Sequence, residues 1–204
     1  GRTEISPYEF DPDVDAVAVA DRYPEGHPRR RMVRRRFSVL AYKHIPEEAL
    51  IRRLYWWDAM PQLLAGILGL PKIYRFEDEY QAINVLYMGE GGEQQWHFDS
   101  NDFSITLLLQ QAEQGGEFKY APNIRRPGDE NYEGVARLLD GDETSAQVVT
   151  VPLTAGTLMI FRGKYSIHRA TPVRGPRQRI QTVLCFDVDP GKTNLAVTNQ
   201  RHYV

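Results

Sequence analysis

One cysteine, Cys185, stands in 204 residues. A lone thiol excludes a disulfide framework and any paired-cysteine metal ribbon, and it leads to the expectation of a reducing, cytoplasmic setting. Net charge is just as scarce, with 25 Lys and Arg against 27 Asp and Glu. Such a balance argues against a general nucleic-acid binder. No apolar run approaches the ~18 residues that span a bilayer, and no charged start precedes an apolar stretch. A soluble protein with no membrane partner is therefore expected. Repeats and low-complexity tracts are also missing. What is present is an ordinary globular composition, 42% hydrophobic and 25% charged, which suffices for a sizeable core without cross-links.

Length alone favours one domain over residues 1–204. Its expected parts are a lead-in with helices (about 1–72), a β-rich core (about 73–190) and a C-terminal segment (191–204). The lead-in, broken by Asp11, Asp13 and Asp15, is expected to be irregular, with at most a short strand at Val14–Ala20. Six arginines crowd Arg29–Arg36 and feed a strand-like run, Phe37–Tyr42. Pro46, Glu47 and Glu48 suit the first turn of a helix, where free amides and the dipole welcome proline and acids. Leu50, Ile51, Leu54, Trp57 and Met60 then recur at helical spacing as one apolar face. A second helix is predicted from Pro61, with Leu63, Leu64, Ile67 and Leu68 continuing that face.

Beyond Leu70 the texture becomes β. Ala82–Met88, Phe103–Gln110, Gly116–Tyr120, Gln147–Val151, Thr157–Phe161 and Ile180–Phe186 read as strands between Gly, Pro, Asn and Asp turns. Residues Asn123–Ala146 read as an exposed insertion with a short helix at Val135–Leu139. Helices followed by many short strands predict an α+β fold whose main body is a sandwich or jelly roll.

The sharpest local feature is Trp96-His97-Phe98-Asp99. In an extended chain residues two apart point the same way, so His97 and Asp99 can grip one ion. A second imidazole would complete a two-histidine, one-carboxylate facial triad with three positions open, the pattern of non-heme ferrous oxygenases. His168, just past the strand Thr157–Phe161, is the best donor, whereas His27, His44 and His202 have no acid two residues on. Arg179 opens a core-like strand, where a buried guanidinium requires a carboxylate partner and its fork suits bidentate pairing with one. The plainer alternative leaves its head in solvent, among Arg174 and Arg177. Gln181 shares a strand face with Arg179 and can add a second contact.

From about Ile83 to Asp187 the chain resembles iron(II)/2-oxoglutarate dioxygenases of the double-stranded β-helix (cupin-like) fold. Within them, Gln95–Phe103, Gly115–Phe118, Pro122–Arg125 and Phe161–Arg169 are similar to a group of small free-standing enzymes. That group hydroxylates or halogenates free amino acids such as lysine. The resemblance implies that His97, Asp99 and His168 hold Fe(II), and that 2-oxoglutarate and O2 are co-substrates. It further implies that Arg179 pairs with the distal carboxylate of 2-oxoglutarate and that Asn84 bonds the same molecule. Succinate and carbon dioxide leave as a substrate C–H is oxidised. The halogenases of the group carry Gly or Ala where this chain has Asp99, so the resemblance implies a hydroxylase.

The arginine run has three readings: a nucleic-acid dock, a solvated strand edge that deters aggregation, or a substrate clamp. Relatives use an arginine of this segment for the substrate carboxylate, which implies Arg34 and Arg36, expected on one strand face. Asp102 is the preferred partner for a substrate ammonium, ahead of Glu77, Asp78 and Glu79, and Tyr203 is a candidate to close the pocket. The leading expectation is a hydroxylase of a small polar substrate, a free amino acid. The alternatives are an oxygenase acting on a nucleic acid or protein, and a cupin-like metal-binding module without redox chemistry.

Overall fold

The computed structural model describes residues 4–8 and 22–193. Fifteen strands follow in chain order: Glu4–Ile5 (β1), Val33–Arg36 (β2), Ser38–Ala41 (β3), Tyr74–Arg75 (β4), Ile83–Met88 (β5), Glu93–His97 (β6), Ser104–Gln110 (β7), Gln114–Gly115 (β8), Phe118–Ala121 (β9), Val149–Val151 (β10), Leu158–Phe161 (β11), Ile167–Ala170 (β12), Val173–Arg174 (β13), Arg179–Leu184 (β14) and Phe186–Asp187 (β15). The helices are Leu50–Trp56 (α1), Ala59–Leu68 (α2) and Tyr132–Leu139 (α3). Val14–Ala20, His202 and Tyr203 lie outside the described residues.

Two antiparallel sheets make the body. The first runs β1-β2-β6-β12-β9-β10 and the second β11-β7-β14-β5-β3. From β5 to β7, and again from β11 to β14, the main strands alternate between the sheets, which is the winding of a double-stranded β-helix. The α+β jelly roll with a helical layer is thus the observed architecture.

Period-two alternation explains where the core sits. On β5, Ile83, Val85 and Tyr87 join a cluster with Tyr55, Met60 and Leu64 of the helices, while Asn84, Leu86 and Met88 face the space between the sheets. The first sheet is backed by Tyr8 and by Val135 and Leu138 of α3, which pack with Trp96, Phe98 and Ile167. Both sheets therefore bury their outer faces, and the inter-sheet space is left for polar groups.

The helical layer departs from the sequence expectation. Pro46–Ala49 form turns, and α1 begins only at Leu50. It stops at Trp56, and α2 restarts at Ala59 with Pro61 inside its first turn, where proline is tolerated. The break reorients the second helix, so one apolar stripe does not run through both. Leu50, Trp57, Leu63 and Ile67 are exposed, and the buried face is Tyr55, Met60, Leu64 and Ala65. Gly69 ends α2 in the left-handed region at φ 66°, a conformation glycine adopts without a Cβ penalty.

The arginine run also differs from a plain solvated edge. Pro28–Arg30 form a 3-10 turn, β2 lies between β1 and β6, and the chain changes sheets at Phe37 before β3. Three of the guanidinium groups meet carboxylates: Arg29 with Glu130, Arg31 with Asp140 and Arg34 with Glu93.

Candidate metal centre

His97 ends β6 and His168 lies on its neighbour β12, directly across the ladder. Their ring centroids are 4.1 Å apart. Asp99 follows two residues after His97, its amide held by the Gly163 carbonyl at 3.1 Å. Its carboxylate stands 3.7 Å from His97 Nε2 and 3.5 Å from His168 Nε2. One ligand atom from each of the three lies within 4.8 Å of the others. Among the described residues this is the one cluster of three or more His, Cys, Asp or Glu with that geometry.

Neighbouring groups prepare each donor. His97 Nδ1 donates to the Gln95 carbonyl (2.8 Å) and His168 Nδ1 to that of Ser166 (3.0 Å), which leaves both Nε2 lone pairs facing inward. Burial, then the nearby His168, then more weakly Arg35, lower the His97 pKa to about 3, against the opposing pull of Asp99. The ring is therefore neutral at pH 7, as a ligand must be. Burial on its own raises the Asp99 pKa, but the two imidazoles and a hydrogen bond from the Ser104 hydroxyl outweigh it and keep the carboxyl ionised. Gly163 supplies the room: a Cβ there would collide with Asp99 Oδ2 and Ser104 Oγ.

Across the gap, on the second sheet, Arg179 is 3% exposed. Burial lowers its pKa to about 10, so it stays charged at neutral pH. Its Nη2 donates to Gln181, and among the described residues no carboxylate pairs with it. Gly116, at φ +63°, makes room for its stem, because a Cβ there would lie 2.9 Å from Arg179 Cδ. A buried cation without a counter-ion costs several kcal/mol, so this corner is built for an anion. Asn84, buried on β5, donates to the Gln81 carbonyl at 3.3 Å and lines the same space.

The cavity holds about 500 Å³, an ordinary size for a small-molecule site. It brings together His97, Asp99, His168, Arg179, Gln181 and Asn84, and Arg36, whose guanidinium lies against Gly91, also lines it. Two expected substrate residues are elsewhere. Arg34 is 66% exposed and bonds Glu93, and Asp102, 63% exposed, pairs with Lys164 at 3.2 Å. Glu77, Asp78 and Glu79 are also outside the lining, and Asp78 caps the amides of Tyr80 and Gln81.

The cause is a bulge. His97 faces His168, yet Gln94 faces Ala170, so three steps on β6 match two on β12. Gln94 is thereby turned to the face of His97, and its amide lies 2.8 Å from His97 Nε2. Arg35, the cross-strand partner of Gln94, lines the cavity in place of Arg34. Sequence reasoning missed Arg35, Gln94, Ser104 and Gly163. The single available signal was the arginine run itself, whose parity a bulge hides.

Two imidazoles and one carboxylate are gathered at one spot, facing a buried arginine between the sheets of a jelly roll, in the donor set of a two-histidine, one-carboxylate facial triad. The two imidazoles and the ionised carboxylate are a donor set that a divalent iron would fit. The chain belongs to the halogenase D family, whose model matches residues 27–202. Solved structures share the fold. AviO1 of Streptomyces viridochromogenes Tue57 superposes with a TM-score of 0.57 at 17% identity, over 80% of this chain and 71% of that one. EctD of S. alaskensis, solved with 2-oxoglutarate and 5-hydroxyectoine, gives 0.55 at 18% identity, over 76% and 58%. A 2OG-Fe(II) oxygenase family oxidoreductase of Burkholderia pseudomallei gives 0.50 at 18% identity, over 78% and 66%. The chain thus spans less than two thirds of EctD and of the Burkholderia protein. No curated protein sequence matches it. Among the described residues, no helix is long and apolar enough to cross a membrane.

Proposed function

We propose that this protein is an Fe(II)/2-oxoglutarate-dependent hydroxylase of an unactivated C–H in a small polar substrate. His97, Asp99 and His168 hold the iron. Arg179, backed by Gln181 and with Asn84 nearby, holds 2-oxoglutarate by its distal carboxylate. When bound, the iron and its co-substrate supply the oxidising power for C–H cleavage, and the protein supplies placement and exclusion of water. Ser104 and the nearby imidazoles keep the Asp99 carboxyl ionised, and burial keeps His97 neutral. Gly163 leaves the Asp99 carboxylate its place, and Arg35 and Gln94 face the substrate side of the cavity.

The observation that carries this reading is Asp99 itself. A carboxylate set between the two imidazoles fills the position that halogenases leave to a halide, so hydroxylation is the outcome despite the family's name. The reading as a polymer-modifying enzyme loses its support, because Arg29, Arg31 and Arg34 are engaged by Glu130, Asp140 and Glu93. The test is a substrate screen in Fe(II), 2-oxoglutarate and chloride, read by succinate release and product mass. A gain of one oxygen supports hydroxylation. A chlorinated product, or one two hydrogens lighter, overturns it.

A further inference from the structure

The helical layer outside the second sheet carries an uncovered apolar face. From Ala59 to Pro71 the sequence holds no charged residue. By contrast α3 carries Glu133 and Arg137, as a surface helix usually does. One side of α2 is accounted for, since Met60, Leu64 and Ala65 are buried against the sheet. The opposite side is open. Leu63 is 48% and Ile67 59% exposed, and between them Gly66 has empty space where a Cβ would stand. Five of the nine large apolar side chains exposed among the described residues belong to this layer: Leu50, Trp56, Trp57, Leu63 and Ile67. Trp56 is held by Tyr42 and Arg75. The other four, Met32, Leu109, Val149 and Val188, come singly from separate segments, which is ordinary. A cluster on one charge-free layer marks an interface. At its two ends stand opposite charges. Asp58, exposed, immediately precedes α2, and Lys72, exposed and steadied over the Tyr74 ring at 4.5 Å, follows the Gly69 turn. The layout is symmetric about Ala65: Leu63 and Ile67 lie two residues to either side, Asp58 and Lys72 seven.

From this layout we infer that α2 is the centre of a two-fold interface with a second copy of the chain, the two α2 helices running antiparallel across Gly66. Leu63 then meets Ile67 of the partner subunit, and Asp58 meets Lys72 of the partner subunit, each contact being made twice. Parallel packing would instead set like charges side by side at both ends. The missing Cβ at Gly66 lets the helices approach closely where they cross, and antiparallel alignment brings opposite helix ends together. The charge pattern also selects a copy of this chain over an unrelated apolar partner, because an inverted copy supplies both complements at matched spacing. With α2 about 15 Å long, the interface is smaller than the ~800 Å² per partner of a stable complex, so a reversible, micromolar dimer is expected. The cavity lies on the inner side of the second sheet, and the inference is independent of the oxygenase reading.

The test is sedimentation equilibrium of the full chain from micromolar to millimolar concentration at low salt. The wild type should pass from monomer to dimer. Ile67→Glu sets an unpaired carboxylate against Leu63 of the partner subunit, twice per dimer, and should raise the Kd at least about a hundredfold. Its circular dichroism and thermal melting at dilute concentration, expected to match the wild type, verify the fold. Asp58→Lys and Lys72→Glu leave the apolar face alone and should each weaken the dimer about tenfold. Mixed in equal amounts, these two variants should recover nearly wild-type affinity, because every acid again faces a base. The recovery should fade as salt screens the pairs. A wild type that stays monomeric throughout overturns the inference and leaves the face to a different protein. A dimer indifferent to Ile67→Glu, or a mixture no tighter than its components, overturns it as well.

Discussion

Gly163 and Asp99 are so close that the glycine cannot carry a methyl group without striking the carboxylate. Gly163→Ala therefore has one way to be accommodated, a displacement of Asp99 and of Ser104, which bonds it. The expected outcome is a loss of Fe(II) affinity of at least about tenfold, at a fold stability cost of about 1–3 kcal/mol typical of overpacking. Metal titration followed in parallel with thermal unfolding separates the two. Unchanged affinity would show that Asp99 is not held where the metal needs it.

Removing an imidazole of the proposed metal centre should end turnover without ending the fold. His97→Ala and His168→Ala are each expected to lose substrate-triggered succinate release while keeping cooperative unfolding. Chelation of the metal from the wild-type protein should give the same loss, reversed by added Fe(II). Retained activity in either variant would remove that residue from the centre.

Arg179 gives a prediction of unusual sign. Its burial without a carboxylate partner destabilises the ligand-free protein, so Arg179→Met is expected to leave the apo melting temperature unchanged or higher. In the wild type, 2-oxoglutarate at a hundred times its Kd, with metal present, adds about 2.7 kcal/mol of stability by mass action. In the variant that increment should vanish at the same concentration. Differential scanning calorimetry with and without the keto acid measures both halves, and an unchanged ligand response in the variant would contradict the assignment.

The helical layer can be checked by paired substitutions. Leu64 is fully buried and Leu63 is 48% exposed. Leu64→Ala should cost about 2–5 kcal/mol, whereas Leu63→Gln should fall within about 0.5 kcal/mol. Gly69→Ala, open in space but left-handed in backbone, should cost about 1 kcal/mol. Denaturant midpoints report all three.

These variants also mark where sequence pattern stopped being informative. The two-residue step from His97 to Asp99, the distal His168 and the strand that begins at Arg179 were legible because donor chemistry and strand parity are local. The alternation of β5 and β14 was legible for the same reason. Leu63 and Ile67 misled because periodicity finds an apolar stripe without saying whether a neighbour covers it, and the break at Trp57–Asp58 shifted the register. Arg34 misled through the bulge in β6, one extra residue in a partner strand roughly 60 positions away in sequence. Asp102 failed because its competitor, Lys164, comes from a distant stretch of the sequence and meets it only in the folded chain. Ser104 and Gly163 serve Asp99 only through tertiary proximity, which no spacing encodes.

The proposed iron ligands sit on or just beyond one sheet, and the arginine proposed for the keto acid sits on the other. On that proposal the separation of the two sheets acts as a calliper on the keto acid. Met88 and Ala170, one from each sheet, meet with Ala112 and Val173 in a small apolar cluster that bridges the two sheets. A change of bulk there would retune which keto acid, one carbon shorter or longer, spans the jaws, while the grip on the metal stayed as it was.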